Sequence, residues 1–347
     1  MKPGFGEIIS VKAIWLIQLG TPSDSSTSAV RRYLNEFLTD PRMIDLPSLV
    51  RHILVKGIIV PLRAPKSAEA YRSIWTSEGS PLLKYSRDLQ RELQKALGKT
   101  PVLLSMRYGS PSIAEGWKEL QKMGANRALI VPLFPQYSSA TNASIMDKIA
   151  EQFRSSENIP TLDVFPPFYD APGFIAAMAE KAPPNLLDYD KVLFSFHGYP
   201  ERFLRRGSPV CLADRSCCDN VSIENQFCYR AHSVATAKSL ASYLKIPADK
   251  WTYSFQSRLG GTKWTEPYTD VVLENWGKAG VKKIVVFCPS FVSDCIETLE
   301  EIGIRERERF LNAGGEELEL VPCVNSSPSF VNFMSSEIQR NFLKEAS

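Results

Sequence analysis

A few side chains in this 347-residue sequence have chemistry to offer: three histidines, a glutamate pair and four clustered cysteines. His197 directly follows the apolar run Val192–Phe196 and precedes Gly198. Imidazole titrates nearest neutrality, so at a cleft mouth it is a natural proton acceptor, whereas in a core it is a satisfied polar group. His52 and His232 read as surface or packing residues. The segment SDCIETLEEIGIRERERF (293–310) begins a helix. Asp294 can cap it, and Glu297, Glu300 and Glu301 suit its positive end. Glu297 and Glu301 are four apart and share a face. Lining a cleft, that face could pass protons or, with His197 opposite, hold a divalent cation.

Cys211, Cys217, Cys218 and Cys228 are spaced C-x5-C-C-x9-C. In a reducing compartment, clustered thiols more often bind metal or do redox chemistry than form structural disulfides. Four thiolates suit a [2Fe–2S] cluster or a zinc ion. The spacing matches neither the paired C-x2-C of common zinc sites nor the plant-type ferredoxin order. The adjacent pair crowds one small ion but is easier for two irons. Redox-sensing thiols are the third reading. Cys288, Cys295 and Cys323 lie in strand or helix contexts and read as small buried apolar residues.

Short apolar runs alternate with amphipathic stretches and must position these groups. Strands are predicted at 13–19, 102–106, 128–133, 192–196, 252–256 and 284–288. Helices are predicted at about 28–37, 65–75, 86–97, 113–122, 143–153, 173–181, 231–244, 269–278, 298–311 and 328–344. This alternation is that of βαβ units with parallel sheets. The strands are continuously apolar, as expected when helices cover both sheet faces.

The chain also reads as a degenerate duplication. LIQLGTP (16–22) matches LFSFHGYP (193–200), and IVPLFPQYSS (130–139) matches IVVFCPSFVS (284–293) in the same order. The second pair is offset less than the first, so the first half holds a surplus, assigned to 35–71. The fold class is α/β: two similar Rossmann-like domains, parallel sheets facing each other across a cleft. The expected domains are 1–170, with a cleft lip at about 35–75 and a returning C-terminal helix at 325–347, and 171–324, with a cysteine-rich loop at 207–230. Ligands of such folds sit beyond the carboxyl ends of the strands. Leu19, Arg107, Tyr108, Tyr137, His197, Ser257, Arg258, Asp294 and Glu297 stand there.

Several classes are excluded. A net charge of +3 is too small for a typical nucleic-acid binder. The phosphate loops G-x-x-x-x-G-K-[ST] and G-x-G-x-x-G are missing, as is G-x-S-x-G. No run reaches the roughly 18 apolar residues of a membrane span, and MKPGFGEIISVK has no signal-peptide core. The expectation is a cytoplasmic protein, with membrane-surface contact open.

Assembled, these residues resemble the ferrochelatase family, whose members insert ferrous iron into a porphyrin. The most specific matches are FSFHGYPERF (194–203), SFQSRLGGTKWTEPYTD (254–270) and CPSFVSDCIETLEEI (288–302). LIQLGTP (16–22), TDPRMIDLP (39–47), SMRYGSP (105–111) and PLFPQYS (132–138) support them. The resemblance implies two Rossmann-like domains around a porphyrin cleft, with protoporphyrin IX and Fe(II) as substrates. It puts the family's histidine, acting on pyrrole protons or metal, on His197, and the glutamate across the porphyrin on Glu297. Both would meet the substrate iron. Glu301 continues an acidic path, but Arg305 stands where some members have another acid. Substrate-binding positions fall on Leu19, Arg63, Lys66, Tyr71, Arg107, Tyr137, Ser257 and Trp264, with Arg63, Lys66, Tyr71 and Ser257 expected to hold propionates near the mouth. Leu19 replaces the tyrosine of coproporphyrin-using relatives and so favours protoporphyrin.

Some family members carry a [2Fe–2S] cluster, often with C-terminal ligands. Here Ser138 and Ser139 replace a central cysteine and the sequence ends LKEAS. A cluster would therefore take its ligands from Cys211, Cys217, Cys218 and Cys228. Two alternatives remain: a chelatase for another tetrapyrrole or metal, and a non-catalytic haem or iron–sulfur binding protein. Apolar residues of the surplus, such as Ile53, Leu54, Ile58, Ile59 and Leu62, are open to porphyrin, lipid or core. Oligomeric state is not readable.

Overall fold

The computed structural model describes residues 11–208, 210–211, 215–258 and 261–344. The expected domain limits at 1 and 347, and positions 209 and 212–214 of the cysteine loop, lie outside the described residues.

Two four-stranded parallel sheets form the frame. The first contains β1 (Lys12–Gly20), β2 (Val102–Tyr108), β3 (Arg127–Pro132) and β4 (Thr161–Val164), in the order β2-β1-β3-β4. The second contains β5 (Lys191–His197), β6 (Trp251–Gln256), β7 (Lys283–Phe287) and β8 (Glu317–Leu320), in the order β6-β5-β7-β8. The orders are identical, with β1 corresponding to β5 and β3 to β7. That is the pairing the repeated motifs imply.

Alternate residues of the central strands feed different layers, as the strand period demands. Ile14 and Leu16 of β1 face one core, while Ala13, Trp15 and Ile17 face another. In β5, Val192, Phe194 and Phe196 join the same core as Ile14 and Leu16, so one apolar body spans both sheets. Each fully buried side chain of this size stabilises by roughly 1.5–3 kcal/mol, which fixes the two sheets against each other.

The edge strands β4 (TLDV) and β8 (ELEL) escape sequence reading because they are four residues long and carry acids. The seven-residue helix Glu201–Gly207 escapes it because it is too short for a helical period.

The surplus of the first half forms a lip. Helix Thr27–Leu38 packs on a long helical run made of Ser48–Leu54, the wider π-type turn Val55–Ile59, and Val60–Ile74. Their shared core includes Tyr33, Leu34, Val55, Val60, Ala68 and Tyr71. Arg51 turns inward, donating to the carbonyls of Thr39 (2.8 Å) and Leu46 (2.6 Å). Ile53, Ile58 and Leu62 are 63%, 54% and 75% exposed, so core packing is not their role.

Candidate active site

A cavity of about 790 Å³ opens at the carboxyl ends of both sheets and under the lip. Sites for small molecules and cofactors commonly span roughly 300–1,000 Å³, so its size suits a flat macrocycle. From β1 come Leu19 and Gly20; from the lip, Arg63, Lys66 and Tyr71; from β5, His197; from the turn after β6, Ser257. Trp264 lines it too, as do Glu297, Glu300 and Glu301 from the wide helix Glu297–Glu306.

His197 is half buried and its tautomer follows from its neighbour. Nδ1–H donates to the carbonyl of Gly198 at 2.7 Å, leaving the Nε2 lone pair free to accept a proton. Its ring lies 6.4 Å from that of Phe291. Gly198 cannot be larger: a Cβ there would stand 2.6 Å from the Gln256 carbonyl and 3.1 Å from the Trp264 ring. Gly20 is equally constrained, with φ +116° and a Cβ position only 1.8 Å from the Tyr108 carbonyl.

The acids differ among themselves. Glu297 is half buried, and its main-chain carbonyl is held by Gln256 Nε2 at 2.7 Å. Glu301 is buried and doubly held: the Ser257 amide donates to Oε1 at 2.8 Å and its hydroxyl to Oε2 at 2.5 Å. Arg305 stands 3.5 Å from both Glu300 and Glu301. Burial pushes the Glu300 carboxyl up, Arg305 pulls it back, and Glu301 adds to the rise. Burial likewise raises Glu306, farther along the same helix and also on the cavity wall.

Tyr71 was expected near the mouth, yet it is buried, T-shaped against Tyr33 (6.4 Å, 88°) and Trp75 (6.1 Å, 77°). Burial and then the charge of Glu297 push its phenol up. It lies on the cavity wall within reach of the Glu297 charge. Arg63 and Lys66 line the cavity from the lip, as does Arg42, which is paired with Asp147.

Two expected substrate residues, Arg107 and Tyr137, are not among the cavity-lining residues. The Arg107 guanidinium is committed to Asp40 (2.5 Å) and to the hydroxyl of Ser144 (2.7 Å). The Tyr137 ring packs on Phe227 of the cysteine loop at 5.1 Å. Cys295, expected only as core, is buried and lines the cavity beside Glu297.

The four loop cysteines are neighbours. The sulfurs of Cys217 and Cys218 are 3.9 Å apart, and Cys218 is hydrogen-bonded to Cys228. That bond brings the Cys228 thiol down to about 7 against the effect of burial, aided by the Ala231 and Arg230 amides at the start of helix Tyr229–Tyr243. The same bond, with burial, raises Cys218. Burial, then Cys217 and Cys218, raises Cys211. Among the described residues, no group of three or more His, Cys, Asp or Glu side chains is already arranged to hold a metal ion. The thiols are gathered without being set at ligand spacing.

Sequence reading missed Arg230 and Tyr229, which follow Cys228 directly. Arg230 is only 6% exposed, and no carboxylate lies within ion-pair distance of it among the described residues. It donates to Tyr253 Oη at 3.0 Å and to the Cys218 thiol, and its Nε has no partner. Neither residue belongs to a local motif, because their partners His197 and Tyr253 lie 32 and 23 positions away.

A ferrochelatase family model matches residues 11–342. The chain belongs to the ferrochelatase family. It is 45% identical to the ferrochelatase of Pseudomonas fluorescens (strain Pf0-1), covering 94% of this chain and 97% of that one. It is 44% identical to the ferrochelatase of Legionella pneumophila (strain Lens), over 95% and 99%. A solved structure described as SirB from Bacillus subtilis with Fe3+ superposes with TM-score 0.48 at 16% identity, covering 76% of this chain and 91% of that one, too loose a likeness to bear on function. Membership makes the chain a lyase, a metal chelatase that inserts metal into porphyrin in haem biosynthesis, and removes the reading of a non-catalytic carrier. No helix of the described residues is long and apolar enough to cross a membrane.

Proposed function

We propose that this chelatase inserts Fe(II) into protoporphyrin IX, with His197 taking the pyrrole protons and Glu297 relaying them. The single observation behind this is the Gly198 carbonyl's hold on His197 Nδ1, which leaves Nε2 as acceptor in a cavity shared with Glu297. Two protons must leave for each metal that enters, and a neutral imidazole is the group best matched to accept them near pH 7. A porphyrin is flat, so binding its distorted form more tightly than the planar one lowers the barrier. Leu19, apolar and on the cavity wall, favours protoporphyrin over coproporphyrin. Arg63 and Lys66 would receive the propionates, guanidinium being suited to bidentate carboxylate contact.

A [2Fe–2S] cluster would be held by Cys211, Cys217, Cys218 and Cys228. The chemistry of the donor set suits it, although the sulfurs are not set at ligand spacing: four thiols on one short loop and a buried arginine with an unpaired Nε beside Cys218. A buried cation requires a counter-charge, and an anionic thiolate assembly would supply it. Metal insertion moves no electrons, so the group would supply order to the loop or sensitivity to oxidants and iron. The exposed Leu49, Ile53, Ile58 and Leu62 of the lip would rest on a membrane surface, from which a poorly soluble porphyrin could enter. Liposome co-sedimentation tests this last point; no binding to any lipid composition would remove it.

The deciding experiment follows zinc insertion by loss of porphyrin fluorescence. His197→Ala is expected to stay folded and to lose nearly all insertion. Turnover at the parent rate in folded His197→Ala would overturn the assignment.

A further inference from the structure

A continuous series of buried and part-buried contacts runs from the cysteines to the cavity. Asn225 is buried inside the loop. Its Nδ2 donates to the carbonyls of Cys217 (2.6 Å) and Asn220 (2.9 Å), and its own carbonyl accepts the Cys228 amide at 2.7 Å. Cys228 caps helix Tyr229–Tyr243. The next residue, Tyr229, is buried and lines the cavity. Its phenol donates to the main-chain carbonyl of His197 at 2.8 Å and lies 2.9 Å from Ser290 Oγ. Ser290 Oγ in turn accepts the His197 amide at 3.4 Å.

His197 is thus clamped on both main-chain groups at the point where β5 ends. The clamped peptide joins His197 to Gly198, whose carbonyl fixes the imidazole tautomer. A tilt of that peptide would re-aim Nε2. A second strut runs beside the first. His232, one turn along the helix and fully buried, donates from Nε2 to the Gln226 carbonyl (2.8 Å) and accepts the Tyr137 amide on Nδ1 (3.2 Å). It stacks on Tyr169 at 3.8 Å. The end of the cysteine loop is therefore tied to both halves of the molecule.

We infer that the first turn of helix Tyr229–Tyr243 couples the cysteine loop to His197, with Tyr229 as the positioning residue. Order in the loop sets the place of Cys228, Cys228 sets Tyr229, and Tyr229 holds the histidine peptide. The inference rests on the reading of His197 as proton acceptor but not on what the thiols bind. Coupling is reciprocal, so a porphyrin bound against His197 steadies the loop.

The test compares wild type, Tyr229→Phe, Asn225→Ser and the double variant in zinc insertion, with thermal melting alongside. Tyr229→Phe keeps the ring packing on Tyr199 (5.6 Å) and removes only the donor. It is expected to lower kcat by about tenfold, since a small misplacement of a catalytic group is costly, with Tm unchanged and porphyrin KM raised only by the modest loop–porphyrin coupling that the variant removes. Asn225→Ser is expected to lower kcat as well, and the double variant to lose little more, because both act through one chain of contacts. Hydrogen exchange of peptide 215–228 gives a readout independent of turnover: added protoporphyrin slows it in wild type and not in Tyr229→Phe. Parent-level kcat in Tyr229→Phe, with His197→Ala inactive, overturns the coupling and leaves the role of His197 standing. Parallel losses of kcat, KM and Tm make Tyr229 merely structural and also overturn it. If His197→Ala is itself active, the reading beneath the inference fails.

Discussion

Ser257 holds both carboxylate oxygens of Glu301, through its amide at 2.8 Å and its hydroxyl at 2.5 Å. It does so from a left-handed backbone, φ 64°, which a non-glycine residue adopts only at a cost of about 1–3 kcal/mol when its surroundings compel it. A serine so engaged has no hydroxyl proton left for a propionate. Glu301, for its part, is anchored. Ser257→Ala is therefore expected to lower kcat several-fold while porphyrin KM stays near its parent value. A rise in KM at constant kcat would return Ser257 to the propionate role that family resemblance suggests.

The lip is fastened by a buried ion pair. Asp40 accepts from Arg107 (2.5 Å), Tyr108 Oη (2.7 Å), Ser144 Oγ (2.6 Å) and the Arg42 amide (2.7 Å). Burial alone would raise its carboxyl, but those hydrogen bonds and the Arg107 charge hold it below the usual value of 3.8. The stability this contributes is complete above that value and is lost as pH falls through the lower folded one. Removing one partner leaves the other charge buried and alone, which costs about 3–5 kcal/mol. Asp40→Ala is expected to lower Tm by that equivalent and to loosen residues 40–62 in hydrogen exchange. An unchanged Tm would show that water replaces the carboxylate at no cost.

The halves of the fold were legible because each central strand is an apolar run closed by a residue pattern that recurs. Gly20 and Gly198 stand at matching turns, and both are forced by backbone approach. Edge strands were not legible, since Thr161–Val164 and Glu317–Leu320 take their extended form from β3 and β7 and not from their own side chains. At the site, His197 and Glu297 could be singled out by type and position. The pairing of Arg107 with Asp40 left no signal, because the two lie 67 positions apart. Tyr229 and Arg230 left no pattern at all: their partners His197 and Tyr253 meet them only after the sheet has formed.

His232 carries a pH signature. Burial drives its imidazole down to about 4, against the Gln226 carbonyl, which favours the charged form. The unfolded chain titrates near 6.5, so between pH 6.5 and 4 it binds the extra proton and the folded protein does not. The contribution is full above pH 6.5 and is lost as pH falls toward 4, amounting to roughly 3 kcal/mol at most. Tyr169 and the Tyr137 amide face the ring, and neither carries charge in this range. Carboxylates titrate in the same window, so the difference from His232→Gln is the quantity to follow. The Tm of wild type is expected to fall more steeply with acid than that of the variant. Parallel curves would remove the imidazole as the cause.

Arg63 is a half-buried cation on the cavity wall, and no carboxylate lies within ion-pair distance of it among the described residues. Burial pulls its pKa down, which marks a guanidinium held away from water without compensation. A substrate carboxylate would restore the missing partner, and a charge-assisted hydrogen bond is worth about 1.5–3 kcal/mol. Arg63→Ala is therefore expected to raise KM for a dicarboxylic porphyrin by roughly tenfold to a hundredfold with little change in kcat. Arg63→Lys keeps the charge but loses the planar fork, so it should fall between. The decisive comparison uses a porphyrin without carboxylates. If Arg63 binds propionate, wild type and Arg63→Ala should turn over that substrate alike; an equal loss with both substrates would mean that Arg63 shapes the lip and never meets the carboxylate.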